Sequence, residues 1–237
     1  TDTIFGTIGG GNLEYLVIDE AKKLIDKNIA NKVMNSPLGP GIGQCCGGYV
    51  QVKLSLHNNS KDALKNEYVV NNIKPNLYIF GSGHIGQALI SKLENINFNT
   101  FIIDSREDYL KMTNIKDVNY LLSKKPWEIV SKLEDNSYFI VLTHSHDYDL
   151  KILNEILKKN NTFVGLIGSL TKKKRFYKRL IDNGHNKSIV DKIECPIGID
   201  IGNSKDPNEI AFSIITRIIS IKNSLNHLSN NKIKEVI

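Results

Sequence analysis

Several segments of the chain could do chemistry, and the first holds a pair of cysteines. Cys45 and Cys46 follow Gln44 in a glycine-rich block, residues 39–48, where backbone N–H groups can approach and favour a thiolate. Adjacent cysteines are poorly placed to bond to each other, so we expect reduced thiols. A reactive or ligand thiolate, with Cys45 ahead of Cys46, and a structural pair both remain open. The third cysteine, Cys195, is expected to be a packed or loop residue.

The second segment is a His-x-His sequence with carboxylates close behind it. His144 and His146 directly follow an apolar stretch, and a metal accepts this spacing when acids are near. The acid that would complete a hydrolase metal motif is replaced by Tyr148. We prefer the alternative, in which one histidine caps the loop while the other contacts a ligand phosphate or acts as an acid near neutral pH.

The third segment is a glycine turn with the spacing of a dinucleotide-binding unit. It follows an apolar strand and opens a helix, and its glycines are Gly81, Gly83 and Gly86. Gly81 would make the tight turn, Gly83 would let the backbone approach a diphosphate, and Gly86 would let the helix pack close to the strand. His84 begins the helix, whose N-terminus favours an anion. A unit that has kept this shape without a nucleotide is the alternative.

An acid follows the glycine turn at the distance expected for ribose recognition. Asp104 ends the next strand and would accept hydrogen bonds from ribose hydroxyls, which disfavours a 2′-phosphate. Arg106, two residues later, would soften that preference. We therefore expect any bound nucleotide to lack a 2′-phosphate.

A basic helix start supplies a further anion-binding candidate. Gly168 and Ser169 follow an apolar strand, and Ser169 and Thr171 are the candidates for direct phosphate contact at the helix N-terminus. Lys172 and Lys173 would act through their electric field more than by contact. A solvated basic helix face explains the same charges equally well.

Glu14 lies just after a second glycine cluster, Gly9-Gly10-Gly11. It is a candidate acid for ligand binding near that cluster. It could equally occupy the first turn of a helix and interact favourably with the helix dipole.

The elements that position these side chains alternate between strands and helices in most of the chain. Before them, a helix with Leu13, Leu16 and Val17 on one face precedes an alternating strand from Tyr49 to Leu56. Strands are predicted at 77–80, 100–103, 118–122, 138–142 and 162–167, and helices near 84–95, 126–133, 149–159, 171–183 and 206–222. This order predicts an α/β fold, a Rossmann-like doubly wound parallel sheet preceded by a smaller α+β N-terminal domain.

Polar and apolar patterns also give the domain limits. We expect an N-terminal domain at 1–60, a linker at 61–75, the Rossmann-like domain at 76–226 and a frayed tail at 227–237. Asp206, Pro207 and Glu209 have the spacing of a capped helix start, with Glu209 completing a capping box. Because Thr1 is not a methionine, we expect the N-terminal domain to be incomplete.

Composition limits the classes of partner. The 237 residues carry a formal net charge of +6, but the positive charge is almost all lysine, and arginine is the better reader of bases and phosphates. We therefore expect no nucleic-acid function. No apolar run reaches the roughly 20 residues that a membrane span needs, which predicts a cytoplasmic protein without membrane contact.

Taken in order, these motifs resemble the XdhC/CoxI family over nearly the whole chain. Its most specific match is the Gln-Cys-Cys-Gly-Gly block. The other matching segments are Gly6–Glu14, Phe80–Gly86, Asp104–Glu107, Thr143–His146 and Gly165–Ser169. Members of this family are accessory proteins of xanthine dehydrogenase and related molybdenum hydroxylases.

The resemblance implies a function as well as a fold. It implies a chaperone that binds molybdenum cofactor (molybdopterin), protects it while a cysteine desulfurase exchanges an oxo ligand for sulfur, and delivers it to the apo-enzyme, with the chain as a homo-oligomer. Cys45 would then contact the molybdenum or the incoming sulfur. The alternative from the glycine turn is an NAD(P)-dependent oxidoreductase, so whether the chain is an enzyme stays open.

The thiolate hypothesis predicts the behaviour of two cysteine variants. Cys45→Ala should leave folding intact while cofactor retention or sulfuration falls sharply, and the matched variant Cys46→Ala should do less. A structural cysteine would instead lose roughly 1–3 kcal/mol of stability with unchanged cofactor handling. Thermal melts beside a cofactor-retention assay separate the two, and a destabilised Cys45→Ala that still passes on active cofactor would exclude the thiolate.

Overall fold

The computed structural model describes residues 3–4, 6–38, 48–64 and 74–233. The chain forms two compact units, Thr1–Ile73 and Lys74–Ile237. Gln44, Cys45 and Cys46 lie outside the described residues.

The first unit contains a helix and a β-hairpin. Its elements are α1 (Gly11–Asp26), β1 (Asn31–Pro37), β2 (Tyr49–Ser55) and α2 (Ser60–Leu64). The strands β1 and β2 pair antiparallel, and α1 buries Leu13, Val17 and Leu24. The predicted helix and the predicted strand β2 are confirmed. The strand β1 is missing from the sequence-based expectation because it has no alternating apolar pattern and is exposed along most of its length.

A further backbone bond extends the pairing of β1 and β2. Beyond the two strands, the N–H of Leu38 donates to the carbonyl oxygen of Gly48 at 2.9 Å. The antiparallel pairing thus extends from the two strands to Leu38 and Gly48.

The second unit alternates strands and helices. Its strands are β3 (Asn76–Phe80), β4 (Asn99–Asp104), β5 (Val118–Leu122), β6 (Ser137–Val141) and β7 (Asn161–Leu166). Its helices are α3 (His84–Lys92), α4 (Glu107–Leu110), α5 (His146–Ile156), α6 (Leu170–Asp182), α7 (Lys187–Val190) and α8 (Pro207–Ile233). The five strands run parallel in the order β5-β4-β3-β6-β7. The predicted Rossmann-like doubly wound fold is confirmed.

Helices cover both faces of this sheet. Leu77 and Ile79 of β3 pack with apolar residues of α3 and α8 on one face, and Tyr78 and Phe80 pack with α5, α6 and α7 on the other. Both faces of the central strands are thus buried, which is why these strands are almost continuously apolar.

Three local expectations are wrong. The segment 126–133 is a series of tight turns ending in a 3₁₀ turn (Val130–Lys132), because its backbone bonds close over three residues. The chain beyond Leu225 continues α8 to Ile233. Asp206 caps α8, since its Oδ1 accepts from Asn208 N–H at 2.7 Å. Glu209 accepts from the hydroxyl of Ser204 and not from the N–H of Asp206, so the predicted capping box does not form.

The outer edge of β7 is covered by a later segment of the chain. Residues 194–197 run parallel to β7, with bonds from Glu194 N–H to Val164 O and from Leu166 N–H to Glu194 O, both 2.9 Å. Cys195 lies in this segment, buried, with its Sγ 3.8 Å from the carbonyl oxygen of Gly168. This confirms a packed Cys195, and burial raises the pKa of its thiol.

In the described part of the chain, no helix is both long and apolar enough to span a bilayer.

Candidate functional site

The strand order places one crevice in the second unit. The chain runs outward from β3 through β4 to β5 and then returns to β6 on the other side of β3. Ligands of doubly wound sheets bind at such a reversal, beyond the carboxyl ends of the strands. The loops that follow β3 and β6 border this point, and those that follow β4 and β7 flank it.

Two glycines of the turn after β3 are required by packing. Gly81 has φ +119°, and a Cβ there would overlap the carbonyl group of Leu142. A Cβ on Gly86 would overlap the carbonyl oxygen of Gly81. Gly86 thus lets α3 approach the turn closely, as its spacing predicts.

Gly83 has no such internal reason to be glycine. Its φ of −74° is open to any residue, and no described atom lies within 4 Å of the Cβ that a side chain would add. It is the N-cap residue of α3, with no side-chain cap bond among the described residues, and the exposed His84 follows it. The first N–H groups of α3 are therefore accessible to an anion from outside the fold.

A partly buried polar network, not found from the sequence, holds the turn in place. Gln87 donates to the carbonyl oxygens of Ser82, at 3.2 Å, and of Tyr109, at 2.8 Å, and accepts from the hydroxyl of Thr113. The Ser82 hydroxyl also donates to Tyr109 O at 2.9 Å. A polar Gln87 among the apolar residues of α3 is the sequence signal that could have revealed this network.

Asp104 is buried and bonded on both carboxylate oxygens. Its Oδ2 accepts from Ser82 N–H at 2.7 Å and from Arg106 Nη2 at 2.9 Å, and its Oδ1 accepts from Arg106 N–H at 2.9 Å and Nε at 3.0 Å. Burial alone would raise the pKa of Asp104, but the bonds from Arg106 and Ser82 lower it, so the carboxylate stays ionised at neutral pH. The predicted contact of Asp104 with ribose stays a prediction, and a hydroxyl would have to displace one of these donors.

The two histidines of the loop after β6 lie at the start of α5 and are both exposed. Ser145 caps α5 by accepting from Tyr148 N–H at 3.4 Å. The ring of His144 packs edge-on against Tyr148, and that of His146 against Phe176. No group of three or more His, Cys, Asp or Glu side chains suited to a metal occurs among the described residues. The two rings thus have different aromatic neighbours, and ligand binding by either histidine stays a prediction.

A buried ion pair joins the loops after β6 and β7. Lys172 Nζ donates to Asp149 Oδ2 at 2.6 Å and to Ile167 O at 2.8 Å. Asp149 Oδ1 accepts from the N–H of Thr143 at 3.0 Å and from its hydroxyl at 2.7 Å. Lys172 is therefore not a solvated charge, and its charge is neutralised by Asp149 and so is not available to attract an anion at a distance. Both expectations for it are corrected. The partner lies 23 residues away, a separation that no local pattern reveals.

The remaining predicted residues after β7 lie at the start of α6. Ser169 caps the helix by accepting from Lys172 N–H at 3.3 Å, and the side chain of Lys172 fills the space beside Gly168. Thr171 is exposed in the first turn. Phosphate contact by Ser169 and Thr171 stays a prediction.

In the first unit, Glu14 binds the glycine loop that precedes α1. Its Oε2 accepts from the hydroxyl of Thr7, from Gly10 N–H at 2.7 Å and from Ile8 N–H at 3.1 Å. These bonds, that of Thr7 above all, hold the pKa of Glu14 below its usual range. Glu14 thus lies in the first turn of α1, as one of the two expectations for it has it, and its carboxylate also orders the preceding loop. Ligand binding by Glu14 stays a prediction.

Comparison with known proteins places the chain in a family. A family model described as the XdhC Rossmann domain matches residues 77–218. The chain belongs to the XdhC family. Its match covers the whole crevice described above, from β3 into α8.

Relatives of this XdhC-family chain are longer. The uncharacterized protein YqeB of Escherichia coli strain K12 is 24% identical over 226 residues, which cover 94% of this chain and 39% of YqeB. A protein of Bacillus subtilis strain 168, named as a probable subunit of xanthine dehydrogenase, is 27% identical over 151 residues, which cover 63% of this chain and 43% of that protein. The chain thus spans about two fifths of the length of these relatives.

A solved structure has the same fold. The crystal structure of a xanthine dehydrogenase from Bacillus halodurans matches with a TM-score of 0.69 and 18% identity, over 94% of this chain and 84% of that chain. At this identity the match supports the fold of the XdhC-family chain and carries no conclusion about activity.

The glycine turn predicts a large loss of stability for one alanine variant and a small change for another. Gly86→Ala should lower the free energy of unfolding by about 1–3 kcal/mol, because its Cβ forces the Gly81 carbonyl away. Gly83→Ala, the matched control, should change it by less than about 1 kcal/mol. Urea unfolding followed by the fluorescence of Trp127, the single tryptophan, measures both. Equal losses in the two variants would contradict the packing argument.

The buried ion pair predicts a large cost for losing its cation. Lys172→Met leaves Asp149 charged, buried and without its cation, which should cost about 3–5 kcal/mol. Lys111→Met, which breaks an exposed pair with Glu107 (side chains 70% and 55% exposed), should leave the free energy of unfolding nearly unchanged, because solvent screens this pair. The same urea unfolding measures both variants, and a cost below that of Lys111→Met would refute the role of Lys172.

Proposed function

We propose that the chain binds molybdenum cofactor and acts as an accessory protein of a xanthine dehydrogenase-type molybdenum hydroxylase. In this role it holds the cofactor, assists its sulfuration and delivers it to the apo-enzyme. The observation that carries the proposal is Gly83, a glycine that neither its φ nor its described neighbours require, at the uncapped N-terminus of α3 beside the strand reversal. A ligand phosphate that approaches the backbone closely explains that glycine.

The comparisons support the accessory role. The chain shares its Rossmann domain with the XdhC family, and one relative is named as a probable subunit of xanthine dehydrogenase. Because the chain spans less than half of that relative, the whole protein's activity is not transferred to it. What the proposal takes from the comparison is a shared ligand-binding domain and a partner of the xanthine dehydrogenase class.

The residues around the crevice fit the parts of the proposed ligand. Molybdopterin carries a phosphate, a pterin ring and a dithiolene that binds the metal. Backbone N–H groups at Gly83 and His84, with Arg106 on the neighbouring strand end, suit the phosphate. Exposed His144 and His146 suit the polar edge of the pterin.

In this proposal, the bound cofactor supplies the molybdenum centre at which an oxo ligand is exchanged for sulfur. Arg106 and the backbone N–H groups at Gly83 and His84 would hold its phosphate, and His144 and His146 would orient its pterin. Cys45, which lies outside the described residues, is proposed as the thiolate for molybdenum or sulfur on the basis of the resemblance alone. A cysteine desulfurase, a xanthine dehydrogenase-type apo-enzyme and a second copy of the chain are the proposed partners, in the cytoplasm.

An NAD(P)-dependent oxidoreductase is the competing function. It would use the same crevice with the ribose bound by Asp104, whose oxygens are all engaged by other donors. Turnover of a carbonyl substrate with NADH would favour the competing function. Binding of pterin without turnover would favour the accessory role.

The direct test is retention of the cofactor. Purified protein is incubated with molybdenum cofactor and passed through a desalting column, and the pterin that co-elutes is oxidised and measured by its fluorescence. Retention above that of a protein without a Rossmann domain is expected, and none above it would refute the proposal.

Gly83→Ala gives a sharper version of this test. Its Cβ would stand between the backbone and the phosphate, so retention should fall by about tenfold, or roughly 1.4 kcal/mol. The urea midpoint should stay close to that of the unchanged chain, which separates lost binding from lost folding. Full retention by a folded Gly83→Ala protein would show that the ligand does not approach this glycine.

A further inference from the structure

The carboxylate of Asp104 has no acceptor position to spare. An ionised carboxylate offers about four lone-pair positions, and four N–H groups of Ser82 and Arg106 point at the two oxygens of Asp104. A ribose hydroxyl could bond there only by displacing Ser82, which holds the glycine turn, or Arg106. The acid that would recognise a ribose diol is thus used inside the fold.

The ion pair with Asp104 uses only part of the Arg106 guanidinium. It donates to Asp104 through Nε and Nη2, and its remaining N–H groups have no acceptor among the described residues. The guanidinium lies 3.7 Å from the centre of the Tyr109 ring, which fixes its plane, and the side chain is 28% exposed. The end of β4 therefore offers a fixed, partly exposed cation where a diol-binding unit offers an anion.

We propose that Arg106 is a specificity-determining residue of the crevice and receives a phosphate monoester of the bound ligand. The inference rests on one part of the proposed function, namely that a ligand with a phosphate binds in the crevice. The N–H groups of a guanidinium match the geometry of phosphate oxygens. Asp104 is buried and fully bonded, so it has no acceptor left for the hydroxyls of a diol. This reverses the preference for a ligand without 2′-phosphate that the sequence predicts from Asp104.

Two ligands carry this chemistry at different places. The terminal phosphate of molybdopterin is a monoester, and so is the 2′-phosphate of NADP⁺. The test therefore uses two pairs of probes with the full chain. Oxidised molybdopterin is compared with the same pterin after phosphatase treatment, and NADP⁺ is compared with NAD⁺, with dissociation constants from calorimetry.

The expected result is a preference for the phosphorylated member of a pair on the order of tenfold, the size of one good charge-assisted contact. If only the pterin pair binds and shows this preference, the monoester is that of molybdopterin. If only the nucleotide pair binds with this preference, the inference stands while the proposed cofactor function fails. Equal affinity within the pterin pair would overturn the inference and leave the proposed function standing. Equal affinity within a nucleotide pair that binds alone, or no binding of any probe, would overturn both.

Variants test whether Arg106 itself causes the preference. Because removing Arg106 alone leaves Asp104 buried and unpaired, the informative variant is Asp104→Asn with Arg106→Gln, which keeps amide hydrogen bonding and removes both charges. Its preference should fall to less than about twofold. Lys124→Gln is the matched control, since it removes one exposed cation whose Nζ bonds Ser105 O at 3.2 Å near the same strand end.

The control should keep the preference of the unchanged chain, because its charge acts at a distance through solvent. An equal loss in Lys124→Gln would show a general effect of positive charge and overturn the role of Arg106. A double variant that melts normally and still prefers phosphate would overturn it as well. If the double variant does not fold, Arg106→Lys decides the question, since it keeps the charge and loses the fork, and an unchanged preference there would refute specific recognition by the guanidinium.

Discussion

Three backbone segments meet at the strand reversal of the second unit, and their contact fixes how closely the loops of the crevice approach one another. Gly81 donates its N–H to Ile103 O at 2.8 Å, and Leu142 donates its N–H to Phe80 O at 2.9 Å, so the end of β3 is tied to both neighbouring strands. No side chain fits between the turn and Leu142, or between the turn and α3 at Gly86. The distance between the loops that border the crevice is therefore set by backbone atoms.

Two buried carboxylates repeat one arrangement on either side of this contact. Asp104 binds the N–H of Ser82 in the glycine turn, and Asp149 binds the N–H of Thr143 in the loop after β6. Each is neutralised by a cation, Arg106 in one case and Lys172 in the other. Because each carboxylate fixes a backbone donor of a loop, the rim of the crevice is ordered before any ligand arrives, which lowers the entropy that binding costs.

Local patterns predict the parts of this structure that are encoded within a few residues. The apolar strands and the spacing of Gly81, Gly83 and Gly86 indicate the fold and the position of the crevice because both depend on neighbours in sequence. The pairing of Lys172 with Asp149 depends on two loops that meet only after folding, and β1 is formed by its partner strand without an apolar pattern of its own. The saturation of Asp104 also lay beyond sequence reasoning, because four donors converge only in the folded unit.

The segment 194–197 has a consequence for assembly. By pairing with β7, it occupies the hydrogen-bonding groups that an edge strand would otherwise offer to another protein. In the sheet that the described residues form, the opposite edge is β5, which ends at the half-exposed Leu122. A strand of another molecule could therefore extend this sheet only by pairing with β5, on the side away from β7 and the start of α6.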